Sequence, residues 1–104
     1  MVREIITDEL TQQILQALEK EVALSKKTVT FEIQDDGQCI MIYIAMDDIP
    51  HCKHQANFER VRQILNQMVP GRDCDYSWFA TFTIGDHRVD SCFGGNLDFP
   101  TSIF

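Results

Sequence analysis

The sequence predicts an α+β fold, in the order αββαββ, with a four-stranded, mostly antiparallel sheet and two helices packed on one of its faces. Three observations predict it. Two segments repeat apolar residues at steps of three and four, as amphipathic helices do. Four others alternate apolar with polar residues, or run apolar throughout, over strand lengths. Breaks rich in Gly, Pro and acid separate the segments so that one hairpin precedes the second helix and another follows it. With 104 residues, 44% of them hydrophobic, the chain fits one domain, 1–104, with one core that needs no staple.

Leu10, Ile14, Ala17, Leu18 and Val22 define the stripe of the first helix. Thr7 is its expected N-cap, Asp8 and Glu9 suit the positive end of the helix dipole, and Lys26 and Lys27 follow a C-terminus expected near Leu24. Val29, Phe31 and Ile33 then alternate with Thr28, Thr30, Glu32 and Gln34, as in a strand with one wet face. Asp35-Asp36-Gly37 makes the hairpin turn.

The strand over 38–46 has Ile40, Ile42, Ile44 and Met46 on one face and Cys39, Met41, Tyr43 and Ala45 on the other, so it is expected at the centre of the sheet. Its second face is expected to lie under helices or the C-terminal tail; left open, it would offer Met41 and Tyr43 to a partner. A loop over 47–56 leads to a second helix over 57–68, with Phe58, Val61, Ile64, Leu65 and Met68 inside and Pro70-Gly71 as its stop. The strands 76–84 and 87–93 join through Gly85-Asp86, a two-residue turn. That register sets Trp78, Ala80 and Phe82 against Phe93, Ser91 and Val89 on the core face. Residues 94–104 carry Leu97, Phe99, Ile103 and Phe104 without a period, as an irregular tail on the sheet or one that exposes aromatics.

Charge narrows the function classes. Sixteen Asp and Glu against nine Lys and Arg give a net charge of −7, which repels nucleic acid and anionic membranes. Cys39, Cys52, Cys74 and Cys92 are irregularly spaced, as in a reducing compartment. With neither a signal segment nor an apolar run of membrane length, a cytoplasmic protein is expected. A crossover from the second strand to the third would gather acid at the loop rims: Asp35, Asp36, Asp73 and Asp75 at one end of the sheet, Asp47, Asp48 and Asp86 at the other.

No motif specifies a reaction, and no cofactor is expected. His51, Cys52 and His54, after Asp47 and Asp48, are the nearest approach to a metal site, but a structural zinc site wants four ligands and no second ligand pair follows. Cysteine catalysis would need a base beside Cys52 or Cys92; His87 and Cys92 should point to opposite faces of their strand, and Cys39 and Cys92 read as buried structural thiols. Asp35 and Asp36 sit where water keeps both ionised, and Asp90 reads as a cross-strand hydrogen-bonding group near Thr81 and Arg88 rather than an acid catalyst. Gly94-Gly95-Asn96 lacks the lysine and helix of a phosphate loop and reads as a turn into the tail.

Small, acidic, α+β and without a catalytic motif, the whole chain resembles the immunity proteins of bacterial contact-dependent inhibition and related polymorphic toxin systems. The resemblance lies in overall style and assigns no residue. It implies a stoichiometric cytoplasmic inhibitor that covers the active site of a toxin domain, often a basic nuclease. On that reading the contacts are the rim acids Asp35, Asp36, Asp47, Asp48, Asp73, Asp75 and Asp86, with Tyr43 or Phe99 as apolar anchors. A similar style belongs to acidic secretion chaperones, which bear an exposed apolar face and self-associate. A small metal-dependent or cysteine enzyme centred on His51, Cys52 and His54 is the third reading.

Overall fold

A computed structural model describes residues 6–22, 24, 27–47, 49–69 and 76–95. Helix α1 spans Asp8–Val22. It opens where expected: the Thr7 hydroxyl accepts the Leu10 amide at 3.3 Å, and Asp8 and Glu9 occupy the first turn. It closes where the Leu24 amide reaches back to the Leu18 carbonyl at 3.2 Å, which satisfies one of the last carbonyls of the helix. Thr11, Ile14, Leu15, Leu18 and Val22 are buried, whereas Leu10 and Ala17 lie at the margin of the stripe. Thr11 can be inside because its hydroxyl donates to the Asp8 carbonyl at 2.7 Å.

The hairpin β1 (Val29–Gln34) and β2 (Cys39–Ala45) turns through Asp35–Gly37, with Asp35 and Asp36 at φ near 54° and 55°. Aspartate tolerates this left-handed region better than most residues, so the two acids have a backbone reason to be there. The Gly37 carbonyl also accepts the Ile6 amide at 2.7 Å, tying the approach to α1 to this turn.

Helix α2 spans His54–Met68, and β3 (Trp78–Ile84) and β4 (His87–Gly94) follow. The helix starts three residues earlier than the apolar period suggests and is led in by a 3-10 turn, His51–Lys53, after Pro50. In that first turn only His54 is buried, so there is no apolar period to read. The sheet order is β1-β2-β3-β4, with antiparallel outer pairs and a parallel central pair, so the mostly antiparallel α+β expectation and the central place of β2 both hold.

Both helices bury their stripes against one face of the sheet. Ile40, Ile42, Ile44, Trp78, Ala80 and Phe82 there are wholly inaccessible, and Ile14, Leu18, Val61, Ile64 and Leu65 close over them. The Trp78 indole N–H is spent on Asn66 Oδ1 of α2 at 3.0 Å, which lets the ring stay inside. Among the described residues no helix is long and apolar enough to cross a membrane.

The second hairpin departs from the expected register. Ile84 pairs with His87 and Thr83 with Arg88, as a two-residue turn requires, but Phe82 then pairs with Asp90, Ala80 with Cys92 and Phe79 with Phe93. The register shifts between Phe82 and Thr83, leaving Val89 as the extra residue of a bulge. One added residue reverses every side chain beyond it. Phe93 therefore leaves the core face and is 56% exposed, while Cys92 takes its place beside Ala80.

Candidate functional site

The face of the sheet turned away from the helices carries no other described element. Along the strand register, Glu32, Met41, Phe79 and Phe93 form one row across all four strands, and Thr30, Tyr43, Thr81 and Ser91 form the next. At an interstrand spacing of about 4.8 Å such a row spans roughly 14 Å. Phe79 and Phe93 lie parallel with centroids 6.4 Å apart, and Tyr76 leans on both, 5.9 Å from Phe79 and 5.3 Å from Phe93. This three-ring cluster occupies the β3–β4 side. Tyr43 stands towards β1, 38% exposed, its hydroxyl 3.4 Å from Glu32 Oε2.

Of the two covers expected over Met41 and Tyr43, the helices serve the opposite face, and the tail, residues 96–104, lies outside the described residues. Aromatic groups that keep a wet edge suit contact with a protein, because they lose large apolar area at little conformational cost.

Four of the expected rim acids are described, and all are exposed. Asp35 and Asp36 sit at the β1–β2 turn. Asp47 and Asp86 lie at the opposite end, where Asp47 Oδ1 accepts the Gly85 amide at 2.7 Å and joins the end of β2 to the β3–β4 turn. Asp48, Asp73, Asp75 and the anchor Phe99 lie outside the described residues. Asp90 is placed beside Phe82, not Thr81, and its carboxylate accepts the Ser91 amide at 2.8 Å.

The histidine and cysteine loop is brought together only in part. His51 and Cys52 are exposed, and the His51 and His54 rings are 5.1 Å apart. His54 is buried and its Nε2 lies 2.8 Å from the Ile49 carbonyl, which can only accept, so this nitrogen carries the proton and is not a free ligand. Among the described residues no three His, Cys, Asp or Glu side chains gather as a metal site would need.

Cys52 and Cys92 are free thiols. Burial, reinforced by Asp90 and Glu59 against the opposing pull of Arg62, raises the Cys92 thiol to about 11, the reverse of what a nucleophile requires. The bulge does set His87 and Cys92 on the same face, contrary to expectation, yet five positions apart, roughly 13–16 Å along the strand.

No protein-family model, curated protein or solved structure matches the chain. The site is accordingly read from its chemistry alone. Sequence reasoning names Tyr43 and the rim acids as candidate contacts but not Tyr76, Phe79 and Phe93, because an unbroken hairpin register buries Phe93. The available signal was size: Gly94 opposite the bulky Trp78 fits a packed core face better than Phe93 does.

Proposed function

We propose that this protein is a stoichiometric inhibitor that covers a basic toxin domain with the helix-free face of its sheet. The observation that carries the reading is the Tyr76–Phe79–Phe93 cluster, an accessible aromatic surface on a face with acid at both ends. Aromatic contacts would hold the complex, and Asp35, Asp36, Asp47 and Asp86 would steer a cationic partner to it. Of these acids Asp36 and Asp86 are the better probes, since the Asp47 carboxylate already serves the Gly85 amide.

The test is co-purification of the tagged chain with the products of its neighbouring genes, followed by kinetics on whatever basic domain elutes in equal amount. The complex should be inactive. Phe93→Ser should weaken it by roughly tenfold or more, as loss of an interface anchor does, and Asp36→Asn with Asp86→Asn should slow association and flatten its salt dependence. Association rates that do not change between low and high salt would reject the steering role, and binding indifferent to Phe93 would reject the face.

The exposed apolar face also favours a second reading, an acidic chaperone for a secreted effector segment. An isolated unfolded segment, bound without loss of any enzymatic activity, would decide for it.

A further inference from the structure

We propose that β1 is a self-pairing edge, through which two copies of the chain join β1 to β1 in antiparallel fashion about a two-fold axis at Phe31, making one continuous sheet. The direction of the backbone groups comes first. The Ala45 amide donates to the Thr28 carbonyl at 2.8 Å, and Val29 to Gln34 pair with Ile44 to Cys39 in unbroken register. Because hydrogen-bonded and non-bonded pairs alternate in an antiparallel ladder, Thr30, Glu32 and Gln34 bond towards β2, and the amides and carbonyls of Val29, Phe31 and Ile33 point off the edge.

The two edges of the sheet differ. The outer strand β4 is interrupted by the bulge at Val89, a common way to blunt an edge, whereas β1 is regular from end to end. Beside it a groove of about 380 Å³ opens between β1 and α1, lined by Thr11, Leu15, Val29, Phe31 and Ile33 among others. Ile33 belongs to the core face by register but remains 36% exposed. A strand added in register would bring its own alternate residues along this side.

The sequence of β1 is complementary to itself about Phe31. That axis makes Phe31 meet its copy at a hydrogen-bonding position, sets Val29 against Ile33 and Thr30 against Glu32 of the second copy, and places Lys27, in the turn before the strand, at the same end as Asp35, in the turn that follows the partner strand, on both sides. It uses all three outward-facing residues of β1. Moving the axis to Glu32 sets that carboxylate against its own copy, and moving it to Thr30 sets Lys27 against Ile33 and loses the ion pair. The interface falls in the small, transient class, on the order of 1,000 Å², so dissociation in the range of roughly 10–100 µM is expected.

Sedimentation equilibrium of the full chain, from about 1 to about 300 µM, tests this. Wild type should form a reversible dimer. Ile33→Lys, a charge placed on the edge, should raise its dissociation constant by at least roughly thirtyfold, and Lys27→Glu, which turns two attractions into two repulsions, by roughly tenfold. Far-UV circular dichroism checks that each variant folds; Lys27 is exposed in a turn, so its variant reads the interface even if Ile33→Lys disturbs the strand. A monomer throughout the range overturns the proposal. So does a dimer that survives both substitutions, or one that is lost in Phe93→Ser instead, which would place the contact on the open face.

Discussion

Replacing Gly94 with alanine should be among the most damaging single-methyl changes in this chain. Gly94 closes β4 opposite Trp78, and an added Cβ would stand 2.6 Å from Cζ2 and 2.9 Å from Cε2 of that ring, while also overlapping Asn66 Oδ1. Neither neighbour can give way cheaply: the indole is wholly buried, and its N–H is held by the same Asn66 oxygen. Overpacking of this kind costs about 1–3 kcal/mol, and losing the indole hydrogen bond adds about 1 kcal/mol. The sum, about 2–4 kcal/mol, corresponds to a fall in Tm of roughly 10–20 °C for a domain of this size. Thermal melts by circular dichroism, repeated with the fluorescence of Trp78 as a local probe, measure it. Gly85→Ala is the control, because φ there is +58° but no atom lies within 4 Å of the new Cβ; strain alone should cost about 1 kcal/mol, near 5 °C. A Gly94→Ala protein melting within about 3 °C of wild type, or one less perturbed than Gly85→Ala, would refute the packing argument.

The bulge makes its own prediction: Phe93→Ser should shift Tm by no more than about 3 °C, whereas Phe82→Ala should cost about 3–5 kcal/mol, and equal losses would restore the unshifted register. Thiol alkylation at pH 8 should label Cys52 and spare Cys92, whose raised pKa keeps it protonated; in the linkage, stability associated with Cys92 is complete below the ordinary thiol value of 9.0 and is lost as pH rises through about 11. Peptide mapping of the labelled protein distinguishes the two sites. His54→Ala removes the bond to the Ile49 carbonyl and should cost about 1–3 kcal/mol in urea unfolding, and it should do so equally with or without added zinc.

Periodicity was sufficient for much of the fold. The α1 stripe and its Thr7 cap, the apolar β2 and the Gly85-Asp86 turn each announce themselves through local rules, and local rules govern those features. The features that sequence reading missed depend on hydrogen bonds and register that apolar periodicity does not encode. Thr11 enters the core because a carbonyl one turn back satisfies it, and the first turn of α2 carries no apolar signal because only His54 is drawn inward. The bulge mattered most for the site, since a single unpaired residue at Val89 decides whether Phe93 faces the helices or the solvent. The four described rim acids were legible as loop residues, but Asp35 and Asp36 at positive φ, and Asp47 on the Gly85 amide, have structural duties that their charge alone does not reveal.

The parallel seam between β2 and β3 has a consequence for how the molecule assembles. Each hairpin can close over a short stretch of chain, but pairing Ile40 with Trp78 requires the whole intervening segment, α2 included, to be gathered first. The two strands that meet there are also the most apolar, with Ile40, Ile42 and Ile44 on one and Trp78, Ala80 and Phe82 on the other. Until the seam closes, a refolding chain presents two sticky inner edges at once, each able to capture the complementary edge of another molecule. Yield on refolding should therefore fall with concentration, even though the finished sheet hides that seam completely.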